Sequence, residues 1–106
     1  MSPLTAPTPR DYDKLLRCAS ELSGIPESSF LSKAQGKSLS RWRMMVFYIL
    51  REQGATFQEI GSYFNRHYST VIHGCKVLDS ISSDKQIREL LIKLLKYNGD
   101  TNKPRH

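Results

Sequence analysis

Four neighbouring residues, His67, Tyr68, Ser69 and Thr70, put an imidazole, a phenol and two hydroxyls in a row behind Arg66. All can give or take hydrogen bonds, the chemistry needed to read a base edge or hold a phosphate. The charge around them has one sign. Between Glu59 and Asp79 there is no acid, while Arg66, Lys76 and two histidines fall inside. Between Glu27 and Glu52 there is again no acid, and Lys33, Lys37, Arg41, Arg43 and Arg51 all lie within. The chain of 106 residues carries a net charge of +6, with a pI near 9.6. That balance favours a polyanionic partner, nucleic acid first and an acidic membrane surface second.

Other chemistries fit poorly. Cys18 and Cys75 are too few and too far apart for a disulfide framework or a zinc site, and each lies on an apolar stripe. Buried free thiols in a reducing cytoplasm are the expectation. His73 and Cys75, two residues apart, cannot share a helix face, so no metal site is expected. Residues 31–38, LSKAQGKS, end like a phosphate-binding loop, but Leu31 stands where that loop needs glycine and no strand precedes it. No Ser-His-Asp set or carboxylate pair sits in an interpretable context. The chain reads as a binding module, with no enzymatic activity, no cofactor and no bound nucleotide expected. No apolar run approaches a membrane span or a signal-peptide core.

The polar row must be held by what flanks it. Thr56 and Glu59 have capping-box spacing, and Ile60, Tyr63 and Phe64 form the apolar stripe of a short helix. Asn65-Arg66-His67 interrupts it, and Asn tolerates a left-handed turn. A second helix restarts near Tyr68 or Ser69, with Val71, Cys75 and Leu78 at four- and three-residue spacing. Two short helices joined this tightly form a helix-turn-helix, whose second helix can lie in the major groove. The plainer alternative is that Ser69 and Thr70 only cap that helix.

The rest of the chain supplies a helical frame. Residues 1–10 hold three of the five prolines and no periodicity, and read as a flexible leader. A first helix should start with Asp11 as its cap, bury Tyr12, Leu15, Leu16, Ala19 and Leu22, and stop at Gly24. A short turn after Pro26 should tuck Phe30 and Leu31 inward. Residues 32–40 read as a polar, basic loop. From Ser40, Trp42, Met45, Val46, Ile49 and Leu50 give a broad apolar face, widened by Phe47 and Tyr48, that should form the centre of the core. Gln53-Gly54 should end that helix. Ser83 should cap a last helix, with Gln86 at the box position; Ile87, Leu90, Leu91, Leu94 and Leu95 make its inner side, and Asn98-Gly99 its end. No segment alternates with period two. The expected fold is all-α, a five- to six-helix domain over 11–98 with a Trp-repressor-like helix-turn-helix, no sheet, and a disordered basic tail over 99–106.

With these elements in place, the sequence resembles a known family, the C-terminal DNA-binding domain of the bacterial replication initiator DnaA. The resemblance covers roughly residues 11–97. It is strongest at Glu59-Ile60-Gly61 with Phe64, and at Arg66-His67-Tyr68-Ser69-Thr70-Val71-Ile72-His73-Gly74-Cys75. Upstream, Lys37-Ser38-Leu39-Ser40-Arg41-Trp42-Arg43-Met44-Met45 is similar to the family's basic loop entering its long helix. The resemblance implies that His67, Tyr68 and Ser69 read bases in the major groove. It implies that Arg41, Arg43 and Thr70 hold phosphates, and that a loop with Gln35 and Lys37 enters the adjacent minor groove; charge placement adds Lys37, Arg66 and Lys76 to the residues expected at the DNA backbone.

The departures carry their own expectations. His67 stands where the family has an acidic residue able to accept from a cytosine amine, so that readout should be lost. Tyr68 replaces histidine, the turn is shorter with Asn65 in place of two glycines, and Gln35 stands about where the family sends an arginine. Trp42 replaces proline and Met44 a glutamine. The groove geometry should be kept and the family's preferred box should not. The initiator's ATPase domain is absent from this sequence, which would then be either a fragment or a freestanding domain, as in a phage, plasmid or mobile-element protein; Met1 with the Pro-rich leader slightly favours the second. The leading function is sequence-preferring double-stranded DNA binding in replication initiation or its regulation, in the bacterial cytoplasm or from a phage or plasmid. The alternatives are a transcriptional regulator of a phage, plasmid or mobile element, a module docking an acidic protein partner in replication, and a single-strand binder.

Overall fold

The computed structural model describes the backbone of residues 9–102 and the side chains of residues 11–98. Six helices follow in order: α1 (Pro9–Ser23), α2 (Glu27–Leu31), α3 (Lys37–Glu52), α4 (Phe57–Phe64), α5 (Tyr68–Ile81) and α6 (Lys85–Asn102). No strand occurs among the described residues. The all-α domain expected from the helical periodicity is therefore what the chain forms.

Helix α3 is the axis of the core because apolar residues recur along it with helical phase. Trp42, Met45, Val46, Phe47, Ile49 and Leu50 are all buried, and Tyr48 is half-buried. Helix α5 packs along one side of it and α1 along another; α4 closes on α5, and α6 lies against α1. The two inner faces of the helix-turn-helix contribute Ile60, Phe64, Val71 and Leu78, each almost fully buried. Phe64 meets Phe47 edge to face with centroids 5.0 Å apart, a favoured aromatic geometry that fixes α4 over α3. Helix α1 reaches α4 through the side of Tyr63, whose hydroxyl donates to the Asp13 carboxylate. Burial, and then that hydrogen bond to Asp13, hold the Tyr63 hydroxyl well above the usual tyrosine range.

Several boundaries differ from the expectations, each for a local reason. Helix α1 begins at Pro9 and not at Asp11, since proline is pre-shaped for the first turn; residues 1–8 of the expected leader lie outside the described residues. Helix α3 begins at Lys37, inside the stretch read as loop. Gly36, at φ 157°, breaks the chain just before it, and its carbonyl accepts from the Ser40 amide at 2.8 Å. Leu39 anchors this early turn in the core. In α2 only Phe30 turns inward, while Leu31 is exposed.

The last helix is capped by Asp84 and not by Ser83. Its Oδ1 accepts from the amides of Gln86 and Ile87 at 2.9 and 3.2 Å, the arrangement of an N-cap carboxylate. Leu95, placed on the inner stripe of α6, is half exposed, as is Ile92. Helix α6 continues through Gly99 to Asn102, since one helical glycine costs only about 1 kcal/mol against alanine. The expected disordered tail is thus helical over 99–102, and residues 103–106 lie outside the described residues. Cys18 is buried as expected, whereas Cys75 is only half-buried; burial raises its thiol above the usual range, with the charge of Arg51 opposing.

Candidate nucleic-acid interface

Helix α4, which leads into the turn, rests on three local features. At its start, the Thr56 hydroxyl accepts from the Glu59 amide at 3.0 Å, and the Glu59 carboxylate accepts from the Thr56 amide at 2.8 Å, so both free amides are satisfied. At its end, Asn65 adopts the left-handed conformation, φ 55° and ψ 47°. The Arg66 amide then donates to the Gly61 carbonyl at 2.8 Å and the Asn65 amide to that of Ser62 at 3.2 Å, the paired bonds of a Schellman turn. This reversal lays the start of α5 directly on Gly61. A Cβ at Gly61 would stand 2.6 Å from the Arg66 carbonyl and 3.4 Å from the Tyr68 Cα, so only glycine admits so close an approach.

Helix α5 opens with His67 as its cap. Its backbone is extended, and its Nδ1 accepts from the Ser69 amide at 3.1 Å and lies 2.8 Å from the Ser69 hydroxyl. The imidazole stacks on the Tyr68 ring, centroids 4.4 Å apart and planes inclined by 27°. The cap is therefore His67, and Ser69 and Thr70 are not needed for that duty. His67, Tyr68, Ser69 and Thr70 are all exposed, as are His73 and Lys76 one and two turns further along the helix. Tyr68 leaves 44% of its surface open, which is high for an aromatic residue next to a core helix.

The basic loop between α2 and α3 stands beside this helix start. Lys33, Gln35, Lys37 and Arg41 are exposed on it and on the first turns of α3. Two arginines attach it to the rest. Arg66, in the turn, donates from Nη2 to the Ser32 carbonyl at 2.6 Å. Arg43, expected on a phosphate, is turned inward instead and retains only 6% of its surface. Its Nε donates to the Phe30 carbonyl at 3.1 Å, and its Nη2 to the carbonyls of Ser29 at 2.9 Å and Ser32 at 3.2 Å. Both terminal nitrogens also reach the Ala34 carbonyl at 3.4 Å. Burial, and then the like charge of Arg66, push the Arg43 guanidinium below its ordinary value. The rigid fork of donors suits a set of converging carbonyls, and here it gathers the end of α2 and the loop after it. Arg43 is thus the residue that shapes the loop and is not open to a polyanion.

Gln35 lies exposed on the loop, Lys37 and Arg41 on the first turns of α3, and His67 to Thr70 at the head of α5; the bond from Arg66 to the Ser32 carbonyl joins the loop to the turn. What counting charges along the sequence missed was the inward turn of Arg43. The signal was available: Leu39, Arg43 and Phe47 are spaced by four, so Arg43 stands in phase with residues of the buried stripe. A shallow apolar concavity between α3 and α6, lined by Tyr48, Ile49, Leu91 and Leu95, shares none of these residues. Among the described residues no three His, Cys, Asp or Glu side chains converge as a metal would require, and no helix is long and apolar enough to cross a membrane.

Two short helices joined by a left-handed Asn, the second presenting an exposed polar start, make this a helix-turn-helix domain. The family described as bacterial dnaA protein helix-turn-helix matches residues 12–77, and the chain belongs to that family. It is similar to the chromosomal replication initiator protein DnaA of Mycoplasma pneumoniae, at 36% identity over 73 residues, which is 67% of this chain. The match takes in 17% of that relative, so the chain spans about a sixth of its length.

Proposed function

We propose that this chain binds double-stranded DNA with a sequence preference, through the start of α5 in the major groove, and acts in replication initiation or its regulation. The observation that carries the proposal is the exposed run His67 to Thr70 at the head of α5, beside an acid-free basic loop that Arg66 ties to it. In a helix-turn-helix it is this end of the second helix that meets base edges, while flanking cations meet the backbone. Lys37, Arg41, Arg66 and Lys76 are the cations offered to phosphates, with the Thr70 hydroxyl beside them and the partial positive charge of the helix start behind. His67, Tyr68 and Ser69 are offered to bases, and the loop with Gln35 and Lys37 to the neighbouring minor groove. Family membership supports the replication role, the relative's name being that of a replication initiator.

The test is a titration of the protein on random and selected duplexes at several salt concentrations. With Arg43 withdrawn from the surface, about four phosphate contacts remain, giving a log-log slope of affinity on salt near −3.6. A slope indistinguishable from zero, or equal affinity for every duplex in a selected pool, would refute the proposal.

A further inference from the structure

The hydrogen bonds at the α5 cap determine which atoms His67 and Ser69 have left to offer. The Ser69 amide can only donate, and it points at His67 Nδ1 from 3.1 Å. Nδ1 must therefore keep its lone pair, and in the neutral ring the proton sits on Nε2. The Ser69 hydroxyl lies 2.8 Å from the same Nδ1 and can satisfy it only by donating its hydrogen inward. Stacking on Tyr68 holds the imidazole plane. Nε2 has no hydrogen-bond partner among the described residues, and His67 is exposed at the head of α5. The cap thus presents one fixed outward donor, the Nε2–H of His67.

We infer that His67 is a specificity-determining residue that donates from Nε2 to a guanine edge and rejects cytosine at the same place. This rests on the DNA-binding function proposed above and gives it a base. Guanine shows two acceptors, O6 and N7, in the major groove, whereas cytosine shows the N4 amine, a donor that would face a donor. Adenine places its N6 amine beside N7, and thymine offers O4 beside a methyl group, so both suit the imidazole less well than guanine. A carboxylate at this cap would reverse the polarity, since it can only accept.

Two substitutions separate cap from reader. Asparagine and aspartate are both strong N-caps, and either can accept from the Ser69 amide, so α5 keeps its start. His67→Asn then turns an amide N–H outward, as the imidazole does; His67→Asp turns an oxygen outward. Bound sequences are selected from a randomised duplex pool with the full chain and with each variant. The wild type and His67→Asn are expected to return guanine at one shared position, and His67→Asp to return cytosine there with the other positions unchanged. The preference at that position should change by roughly five- to a hundredfold, the discrimination of a good base contact. Should His67→Asp prove too weak a binder to select, guanine retained by His67→Asn and lost in His67→Ala decides for the inference. The same base at every position for all proteins, or cytosine favoured by the wild type, overturns it while leaving DNA binding standing. Failure of the wild type to bind any duplex overturns both.

Discussion

Arg43 and Arg66 donate to the same oxygen, the carbonyl of Ser32, at 3.2 and 2.6 Å. One arginine comes from the core side of α3 and the other from the turn ahead of α5, so a single backbone atom couples the basic loop to the helix-turn-helix. The arrangement sets two like charges close together, and no carboxylate occurs in either flanking interval to offset them. Arg43 is spent on carbonyls. Arg66, half-buried with donors to spare, is the one able to accept relief from an approaching phosphate.

The two arginines at the start of α3 should therefore separate by what their loss does. Arg43→Ala takes the side-chain donors from the carbonyls of Phe30 and Ala34 and one donor each from those of Ser29 and Ser32, and should cost about 2–4 kcal/mol in chemical denaturation. Arg43→Lys should recover little of this, because an ammonium has its donors on one atom and cannot match carbonyls spread over Nε, Nη1 and Nη2. Arg41→Ala should change stability by less than about 0.5 kcal/mol.

In duplex titrations the order inverts. Arg41→Ala and Lys37→Ala should each weaken all duplexes alike and make the salt slope shallower by about one. Ser69→Ala should leave the slope and the stability alone and relax preference at one base pair by about 1–3 kcal/mol. Equal weakening of all duplexes by Ser69→Ala, with no change in preference, would place its hydroxyl on the backbone instead.

Gly61→Ala should destabilise the domain although alanine is the better helix former. The gain of about 1 kcal/mol in helix propensity is outweighed because the new Cβ meets the backbone oxygen of Arg66, which cannot swing aside as a side chain would. A net loss of about 1–3 kcal/mol is expected by thermal or denaturant unfolding.

Alkaline pH should weaken the fold partly through Tyr63. Its hydroxyl is raised above the ordinary value by burial and by donating to Asp13, so the neutral form is the one the fold favours. That stability is whole below the unfolded value, about 10, and is lost as pH rises from there toward the folded value. Tyr63→Phe should be less stable than the wild type near neutral pH, and the gap should narrow as the pH rises above about 10. A gap that stayed constant with pH would show that Tyr63 does not titrate with unfolding.

Much of this was readable from the chain because local chemistry and tertiary need agree at those places. Thr56 with Glu59, the Asn65 turn, and the stripe from Trp42 to Leu50 each state one structure at two levels. The misreadings arose where a polar residue does interior work or an apolar one does not. Ser-rich flanks around Leu39 hid the first turn of α3, and Arg43 was weighed by its charge when its phase along α3 was the better guide. At α6, Leu95 continues the leucine pattern but drifts off the buried face, since a 3.6-residue turn does not keep every third or fourth position inward. Position along the chain could offer His67 only as a candidate reader; that its outward atom is a donor depends on a hydrogen bond two residues along, which spacing does not reveal.

The central claim is that the head of α5 and the basic loop together form the DNA-facing surface. Titrating isotope-labelled protein with duplex DNA and following each backbone amide by NMR tests it most directly. The account predicts shifts concentrated on residues 33–41 and 66–76, fading together as salt is raised. Shifts gathered instead around Tyr48, Ile92 and Leu95, with the amides of His67 to Thr70 unmoved, would contradict it.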